Sequence, residues 1–149
     1  MRCPLPPRSF PPPPPHLTSR YDLRVRFVET DLMGIVHHSN YLQYFEVGRV
    51  EWLRARGVAY EKWMAQGVHL PVVDASLRYR LTARFDDRLI VETRVVDLAR
   101  VSVRFGYRIV RDAPGEELVC EGDTRLACVG ADLRPRRFPP DVAALLKGR

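Results

Sequence analysis

The segment 27–46 holds the residue types that could do chemistry on a carbonyl group. Two acids, Glu29 and Asp31, stand in it, followed by Gly34 and by the pair His37-His38. A carboxylate can attack a carbonyl carbon or remove a proton from water. Free N–H groups at the start of a helix can stabilise the negative charge that develops on the carbonyl oxygen. The segment therefore indicates acyl transfer to water, although a purely structural role of Asp31 in a turn also fits.

A strand and a long helix are needed to position these residues. Apolar residues alternate with arginines from Leu23 to Phe27, which predicts a half-buried strand before the acids. From residue 40 to residue 56 the apolar period becomes helical, and Ser39 or Asn40 is suited to cap the first N–H groups. Gly57 is a suitable residue to end the helix. The residues expected to face the core from this helix are Tyr41, Phe45, Gly48 and Trp52.

The remainder of the chain predicts an antiparallel sheet. Strands are expected at residues 69–80, 88–97, 101–109 and 117–129, with turn residues between them. Short helices are expected at residues 60–66 and 141–146. Because the strands stand too close together for helical crossovers, the expected fold class is α+β, with the long helix covering one face of the sheet.

Composition restricts the class of protein. The chain has 149 residues, of which 46% are hydrophobic, and this is enough for the core of one domain. The three cysteines lack the spacing of a zinc site or a disulfide framework, so no metal and no cofactor are expected. No apolar stretch reaches the ~20 residues that cross a bilayer, and no secretory signal is recognisable. We therefore expect no stable membrane insertion and a cytoplasmic location.

The net charge of the chain indicates the class of partner. The net charge of +6 favours a phosphorylated or otherwise polyanionic partner. A nucleic-acid binder would carry a basic helix or a helix-turn-helix unit, and neither is present in the sequence, so nucleic acid is not expected as a partner.

Prolines crowd residues 1–19, where they remove backbone donors and fix φ. We expect a disordered tail there and one folded domain at residues 20–149.

The acid-containing segment resembles the signature of the 4-hydroxybenzoyl-CoA thioesterase family, particularly its Tol–Pal-associated acyl-CoA thioesterase branch. The matching residues are Glu29-Thr30-Asp31, Gly34-Ile35-Val36, His37-His38, Asn40-Tyr41 and Phe45-Glu46. Further matches at 86–89, 122–129 and 134–139 extend the resemblance over residues 21–146. The resemblance implies the hotdog fold, in which an antiparallel β-sheet wraps around a long central helix. It also implies a homodimer or homotetramer with sites at the subunit interface.

The resemblance further implies roles for individual residues. Asp31 would be the catalytic carboxylate that hydrolyses the thioester of an acyl-CoA or an acyl carrier protein. His38 would offer its backbone N–H to the thioester oxygen, and its side chain would be either catalytic or orienting. The residues implied to bind substrate are Gly34, Val36, His37, Asn40 and Tyr41. The sequence departs from the family at Phe27, where several members carry tyrosine, and at His37, which replaces an aromatic residue.

Two other functions are compatible with the same fold. A hotdog hydratase or dehydratase resembles this chain in pairing Asp with His, but around an Asn-Pro pair that is absent here and at a shorter spacing. A non-catalytic acyl-CoA-binding protein would keep the fold without the hydrolysis. A helix-borne glutamate serves another thioesterase branch, but we expect Glu46 to be a structural acid paired with Arg49 because Asp31 already fills the acid position.

Overall fold

A computed structural model describes residues 17–148 of the chain. Strand β1 (Ser19–Arg24) and a 3-10 helical turn (Phe27–Glu29) lead to the long helix α1 (Asn40–Arg54) and the short helix α2 (Tyr60–Ala65). The remaining elements are β2 (Val72–Tyr79), β3 (Arg88–Leu98), β4 (Ser102–Arg111), β5 (Glu117–Ala127) and helix α3 (Pro140–Leu146). This order of strands and helices is the one that the sequence patterns predict.

The five strands form one antiparallel sheet in the order β1-β3-β4-β5-β2. Helix α1 packs across one face of it. Phe45 stacks on Tyr107 with ring centroids 4.3 Å apart, and Trp52 meets Phe105 edge-on at 5.5 Å. All four rings are almost fully buried, so the predicted apolar stripe of the helix forms the core. A long helix against an antiparallel sheet confirms the α+β hotdog arrangement.

The beginning of the domain differs from the expected strand. Strand β1 ends at Arg24, and the chain then enters the 3-10 turn. Val25 is buried, but Phe27 is 77% exposed because it lies on that turn rather than on the predicted strand. The predicted tail falls mostly outside the described residues. Leu17 is already tied to the domain, since its carbonyl accepts a hydrogen bond from Trp52 Nε1 at 2.9 Å.

Two expectations for α1 side chains were wrong. Ser39 occupies the N-cap position but makes no capping hydrogen bond, because its Oγ lies 2.8 Å from Nδ1 of His37 instead. Within residues 17–148 no ion pair joins Glu46 to Arg49. Glu46 is exposed, and Nη1 of Arg49 donates to the hydroxyl of Tyr107 at 3.1 Å. Asn40 also makes no cap, since its amide donates elsewhere.

Two cysteines lie within residues 17–148. Cys120 and Cys128 are both buried free thiols. Burial raises the pKa of Cys120 to about 12, which makes this thiol inert as a nucleophile at neutral pH. None of the helices between residues 17 and 148 has the length and apolar character needed to cross a membrane.

Candidate active site

Residues 30–39, which we call the signature loop, connect the 3-10 turn to helix α1. Three backbone hydrogen bonds close the loop. The N–H of Asp31 donates to the carbonyl of Ile35, the N–H of Gly34 to the carbonyl of Asp31, and the N–H of His37 to the carbonyl of Glu29, each at 2.9 Å. Gly34 has φ of +73°, a left-handed conformation that glycine adopts without strain. The backbone therefore fixes where the side chain of Asp31 begins.

The carboxylate of Asp31 has one occupied oxygen and one free oxygen. Its Oδ1 accepts a hydrogen bond from the N–H of Met33 at 2.8 Å, which is a local turn contact. Its Oδ2 accepts no hydrogen bond from any residue in the described chain, and no ion pair neutralises the carboxylate there. The side chain is half-buried. One oxygen is thus held in place while the other can meet a substrate or a water molecule.

Glu29 has opposite surroundings and no free oxygen. Its carboxylate is buried and accepts hydrogen bonds from the N–H of Arg26 at 2.9 Å, from Nε of Arg26 at 2.9 Å and from the hydroxyl of Tyr44 at 2.7 Å. Burial by itself would raise the pKa of Glu29. The hydrogen bonds from Arg26 and Tyr44 outweigh it and hold the pKa below its usual value. Of the two acids in the segment, only Asp31 offers an unoccupied oxygen for chemistry.

The signature loop presents a backbone donor at its end, where helix α1 begins. The carbonyl of His37 accepts a hydrogen bond from the N–H of Asn40 at 3.0 Å, and the carbonyl of His38 accepts one from the hydroxyl of Tyr79 at 3.0 Å. The N–H of His38 donates to no residue within the described chain. Because it stands at the positive end of the helix, this N–H can stabilise a developing negative charge.

The two histidine side chains lie at the surface of the entrance. Their rings contact each other with centroids 4.1 Å apart, and His37 is half-buried while His38 is exposed. Nδ1 of His37 contacts the hydroxyl of Ser39. Among the described residues, no hydrogen bond or ion pair joins the His38 ring to Asp31. The described contacts of His38 therefore hold its backbone, whereas its imidazole contacts the ring of His37 at the surface.

Three of the residues expected to bind substrate have structural contacts. Val36 is buried, and its N–H donates to the carbonyl of Ala83 at 2.8 Å. Nδ2 of Asn40 donates to the carbonyl of Glu29 at 2.8 Å and so ties the helix to the 3-10 turn. Tyr41 is buried, and burial raises its pKa to about 12. Their contact with substrate remains a prediction.

Residues from a distant part of the chain also border the loop. Tyr79, at the end of β2, reaches the carbonyl of His38. Nη1 of Arg84 lies 3.6 Å from the position that a Cβ on Gly34 would take, and this guanidinium forms no ion pair within residues 17–148. No spacing in the sequence connects either residue to the signature loop, so the sequence patterns did not reveal them.

Apolar side chains also stand exposed around the site, and we call them the apolar rim. They are Phe27, Val28, Leu32 and Met33, each at least 72% exposed. Phe27 contacts the ring of Phe85 edge-on, with centroids 6.0 Å apart. Large apolar side chains exposed near a candidate functional group are typical of a place where a ligand or another protein surface binds. Within the described chain, no group of three or more Asp, Glu, His or Cys side chains could hold a metal ion.

Comparison with known proteins identifies the family. Residues 25–146 match the family model of the thioesterase-like superfamily. The chain is 30% identical over 129 residues to the acyl-CoA thioester hydrolase YbgC of Escherichia coli, covering 86% of this chain and 95% of that protein. It is 28% identical to the DHNA-CoA thioesterase structure from Staphylococcus aureus, with a TM-score of 0.78 and coverage of 89% and 95%.

A third comparison concerns the fold alone. The structure of 4-hydroxybenzoyl-CoA thioesterase from Pseudomonas sp. strain CBS-3 superposes with a TM-score of 0.77 at 24% identity, covering 86% of this chain and 98% of that one. This likeness agrees with the hotdog arrangement of helix and sheet described above. The family match spans the signature loop and strands β2 to β5. The chain therefore belongs to the thioesterase-like superfamily.

Proposed function

We propose that this protein, a thioester hydrolase by family, hydrolyses acyl-CoA with Asp31 as its catalytic carboxylate and the N–H of His38 as its oxyanion donor. One observation carries the proposal. The free Oδ2 of Asp31 and the unpaired N–H of His38 belong to the same short loop at the start of α1. A basic or nucleophilic oxygen and a donor for the carbonyl oxygen are the two groups that acyl transfer to water requires.

The chemistry follows from these two groups. Oδ2 of Asp31 either attacks the thioester carbon or takes a proton from a water molecule that attacks it. In both routes the carbonyl oxygen becomes negatively charged, and the N–H of His38 together with the positive end of α1 stabilises that charge. The C–S bond then breaks, and coenzyme A leaves as a thiolate. In the water route the thiolate takes up the proton that Asp31 accepted from water, which restores the carboxylate. In the attack route the acyl group stays on Asp31 as a mixed anhydride until a water molecule hydrolyses it, which releases the acid, restores Asp31 and supplies the proton for the thiolate. The side chain of His38 serves to orient the loop or the substrate.

The proposed substrate is an acyl-CoA. The named relatives act on coenzyme A thioesters, and a net charge of +6 suits the phosphate groups of coenzyme A. The unpaired guanidinium of Arg84 beside Gly34 offers a positive charge at the site itself. The apolar rim would contact the acyl group or a partner subunit. A location in the cytoplasm, where acyl-CoA is made, completes this proposal.

We also propose that the active unit is a homodimer or homotetramer. Strand β2 is an edge of the sheet, because it pairs only with β5. Val72 and Val73 at its start are 47% and 53% exposed. An edge strand with exposed apolar residues can pair with another strand. A second copy of the chain is the partner that the family resemblance implies.

The decisive experiment measures free thiol release from a panel of acyl-CoAs by wild type and by Asp31→Asn. Loss of a general base or nucleophile is expected to lower kcat by ~10²–10⁴-fold, with a similar melting temperature. Asp132→Asn is a matched control. Oδ1 of Asp132 accepts a hydrogen bond from the N–H of Arg134, two residues further along, at 3.0 Å, as Oδ1 of Asp31 does from Met33.

Turnover by Asp31→Asn within threefold of wild type would remove Asp31 from the mechanism. Absence of hydrolysis by wild type across the whole panel would overturn the proposed function. In that case an assay with crotonyl-CoA would separate the two alternatives, because a hydratase adds water to its double bond and a binding protein leaves it unchanged.

A further inference from the structure

We propose that Tyr79 is a positioning residue, whose hydroxyl holds the peptide group of His38 so that the oxyanion N–H faces the substrate. The inference rests on the proposed function, because it concerns the same N–H group. Tyr79 lies 41 positions from His38 in sequence and on a different element, the edge strand β2. Neither the resemblance nor the spacing of the signature residues points to it.

Within residues 17–148 the hydroxyl of Tyr79 makes one hydrogen bond, to the carbonyl of His38 at 3.0 Å. Two contacts keep the side chain in place for this bond. The ring meets the buried ring of Tyr41 edge-on, with centroids 5.4 Å apart. The backbone of Tyr79 is held in register opposite Cys120 of β5. The hydroxyl is thus attached to the sheet, while its acceptor belongs to the signature loop.

The carbonyl of His38 has no acceptor role inside the helix. Ser39 is the N-cap residue, so the hydrogen-bond ladder of α1 begins at its carbonyl and not at that of His38. Without Tyr79, the peptide group between His38 and Ser39 would have only the contact of the Ser39 N–H with Nδ1 of His37, at 3.3 Å. Tyr79 therefore supplies the stronger restraint on this peptide group.

The N–H of His38 belongs to the preceding peptide group, between His37 and His38, so Tyr79 acts on its direction through the backbone dihedral angles of His38. The peptide group on the other side of His38 is held because the carbonyl of His37 accepts from the N–H of Asn40 at 3.0 Å. With carbonyls fixed on both sides, φ and ψ of His38 have little freedom, and its N–H keeps one direction. Charge stabilisation by a backbone donor depends on such preorganisation, since a donor that must reorient during the reaction stabilises less.

Tyr79 acts through the peptide group and not as a proton donor to the reaction. Burial raises the pKa of its phenol above the ordinary value of 10.0, so the hydroxyl stays protonated over the neutral range. Its proton points to a carbonyl that the chemistry does not change. A positioning role therefore predicts an effect on the rate of the chemical step, without a new titration in the pH profile.

The experiment compares kcat, KM, the pH–rate profile and the melting temperature of the full chain in wild type and Tyr79→Phe. We expect kcat to fall by roughly tenfold, less than the ~10²–10³-fold caused by removing an oxyanion donor itself. KM should stay within about twofold, because substrate binding does not depend on the direction of one N–H. The shape of the pH profile should be unchanged.

Two tyrosines serve as matched controls. The hydroxyl of Tyr60 also contacts a backbone group, since it accepts from the N–H of Leu70 at 3.0 Å. Tyr60→Phe should lower the melting temperature at least as much as Tyr79→Phe and leave kcat unchanged. Tyr21, on the opposite edge strand β1, is 36% exposed and its hydroxyl makes no hydrogen bond within the described chain. Tyr21→Phe should change neither quantity.

Four outcomes would overturn the inference. An unchanged kcat in Tyr79→Phe, with Asp31→Asn inactive, would remove Tyr79 and leave the proposed function standing. Loss of a basic limb in the pH profile would make Tyr79 a catalytic acid rather than a positioning residue. A fall in kcat caused only by unfolding would appear as a loss of the folded signal at the assay temperature, and kcat per folded molecule of Tyr79→Phe would then equal that of wild type. Absence of hydrolysis by wild type would overturn this inference together with the proposed function.

Discussion

At the scale of single residues, the neighbouring acids Glu29 and Asp31 differ in the hydrogen bonds that their carboxylates accept. The carboxylate of Glu29 accepts hydrogen bonds from Arg26 and from Tyr44, and it thereby joins the 3-10 turn to α1. Asp31 keeps one oxygen free on a half-buried side chain. A fully satisfied buried acid stabilises the fold, and a half-satisfied acid at the surface is available for chemistry.

Glu29→Gln is therefore expected to reduce stability. The amide keeps the size of the side chain but loses the charge-assisted bonds with Arg26, which should cost about 1–3 kcal/mol of unfolding free energy. Chemical denaturation at pH 7 would measure it. Glu46→Gln is the control, since Glu46 is exposed and has no ion-pair partner within residues 17–148, and it should change neither stability nor turnover. Loss of activity in Glu46→Gln would place a second acid in the mechanism.

The pH dependence of stability provides a second measurement on Glu29. Its folded pKa lies below the ordinary value of 4.5, so the unfolded chain binds a proton first as the pH falls. The stabilisation is complete above the unfolded pKa and is lost as the pH falls through the folded pKa. Between about pH 5 and about pH 3, the unfolding free energy of wild type should fall more steeply than that of Glu29→Gln. Equal slopes would contradict the assigned role.

The sequence patterns predicted the strand-side and helix-side ends of the signature loop, but not the contacts around it. The acid, glycine and histidine types at their spacings are local in the chain, and the role of Asp31 that they suggest stays a prediction. The contact of Tyr79 with His38 depends on how strand β2 lies beside the helix entrance. Such a contact follows from tertiary packing and has no periodic pattern in the sequence.

At the scale of elements, the packing of α1 on β3 sets the position of the whole loop. Gly48 is buried in the middle of the helix, and a Cβ at this residue would lie 2.4 Å from Oγ1 of Thr93 and 2.7 Å from Cγ1 of Val91. The helix can therefore approach the strand closely only because residue 48 has no side chain. The hydroxyl of Thr93 is buried at this contact and has no hydrogen-bond partner among the described residues.

Gly48→Ala is expected to destabilise the protein, although alanine favours helix by ~1 kcal/mol over glycine. The overlap with Thr93 and Val91 would push the helix from the sheet, at a net cost of about 1–3 kcal/mol. Gln43→Ala, on the exposed side of the same helix, should change the unfolding free energy by at most about 0.5 kcal/mol. Thermal and denaturant unfolding would measure both, and a stabilised Gly48→Ala would show that the contact is not tight.

Element types followed from the sequence because each strand and helix shows its own period of apolar residues. Strand β4 alternates clearly from Val103 to Ile109, and Gly57, with φ of +75°, follows the end of the helix as expected. The end of β1 could not be predicted in the same way. Phe27 continues the alternation, yet the chain turns before it so that Glu29 can reach Tyr44. A buried polar contact prevailed there over a local apolar pattern.

At the scale of the whole molecule, the two edge strands of the sheet differ in how well their side chains prevent pairing with another chain. Strand β1 carries charged side chains that form ion pairs, including Arg20 with Glu116 and Arg24 with Asp86. Strand β2 begins with Val72 and Val73, both exposed, and has a register shift before Asp74. Charges discourage the pairing of an edge with another chain, and exposed valines favour it. The asymmetry supports the proposal that β2 is the edge at which a second copy would pair.

Val73→Lys tests this assignment, because a charge on an exposed edge should disturb assembly and leave the protomer fold intact. We expect the mass measured by light scattering at micromolar concentration to fall from that of a homodimer or homotetramer towards that of the 17.2 kDa protomer. If substrate contacts come from two subunits, kcat/KM should fall together with the mass.

Tyr21→Lys, on the opposite edge, is the control and should retain the oligomer. Assembly lost in Tyr21→Lys and kept in Val73→Lys would place the interface on β1, and a monomeric wild type with full activity would show that one subunit holds the complete site.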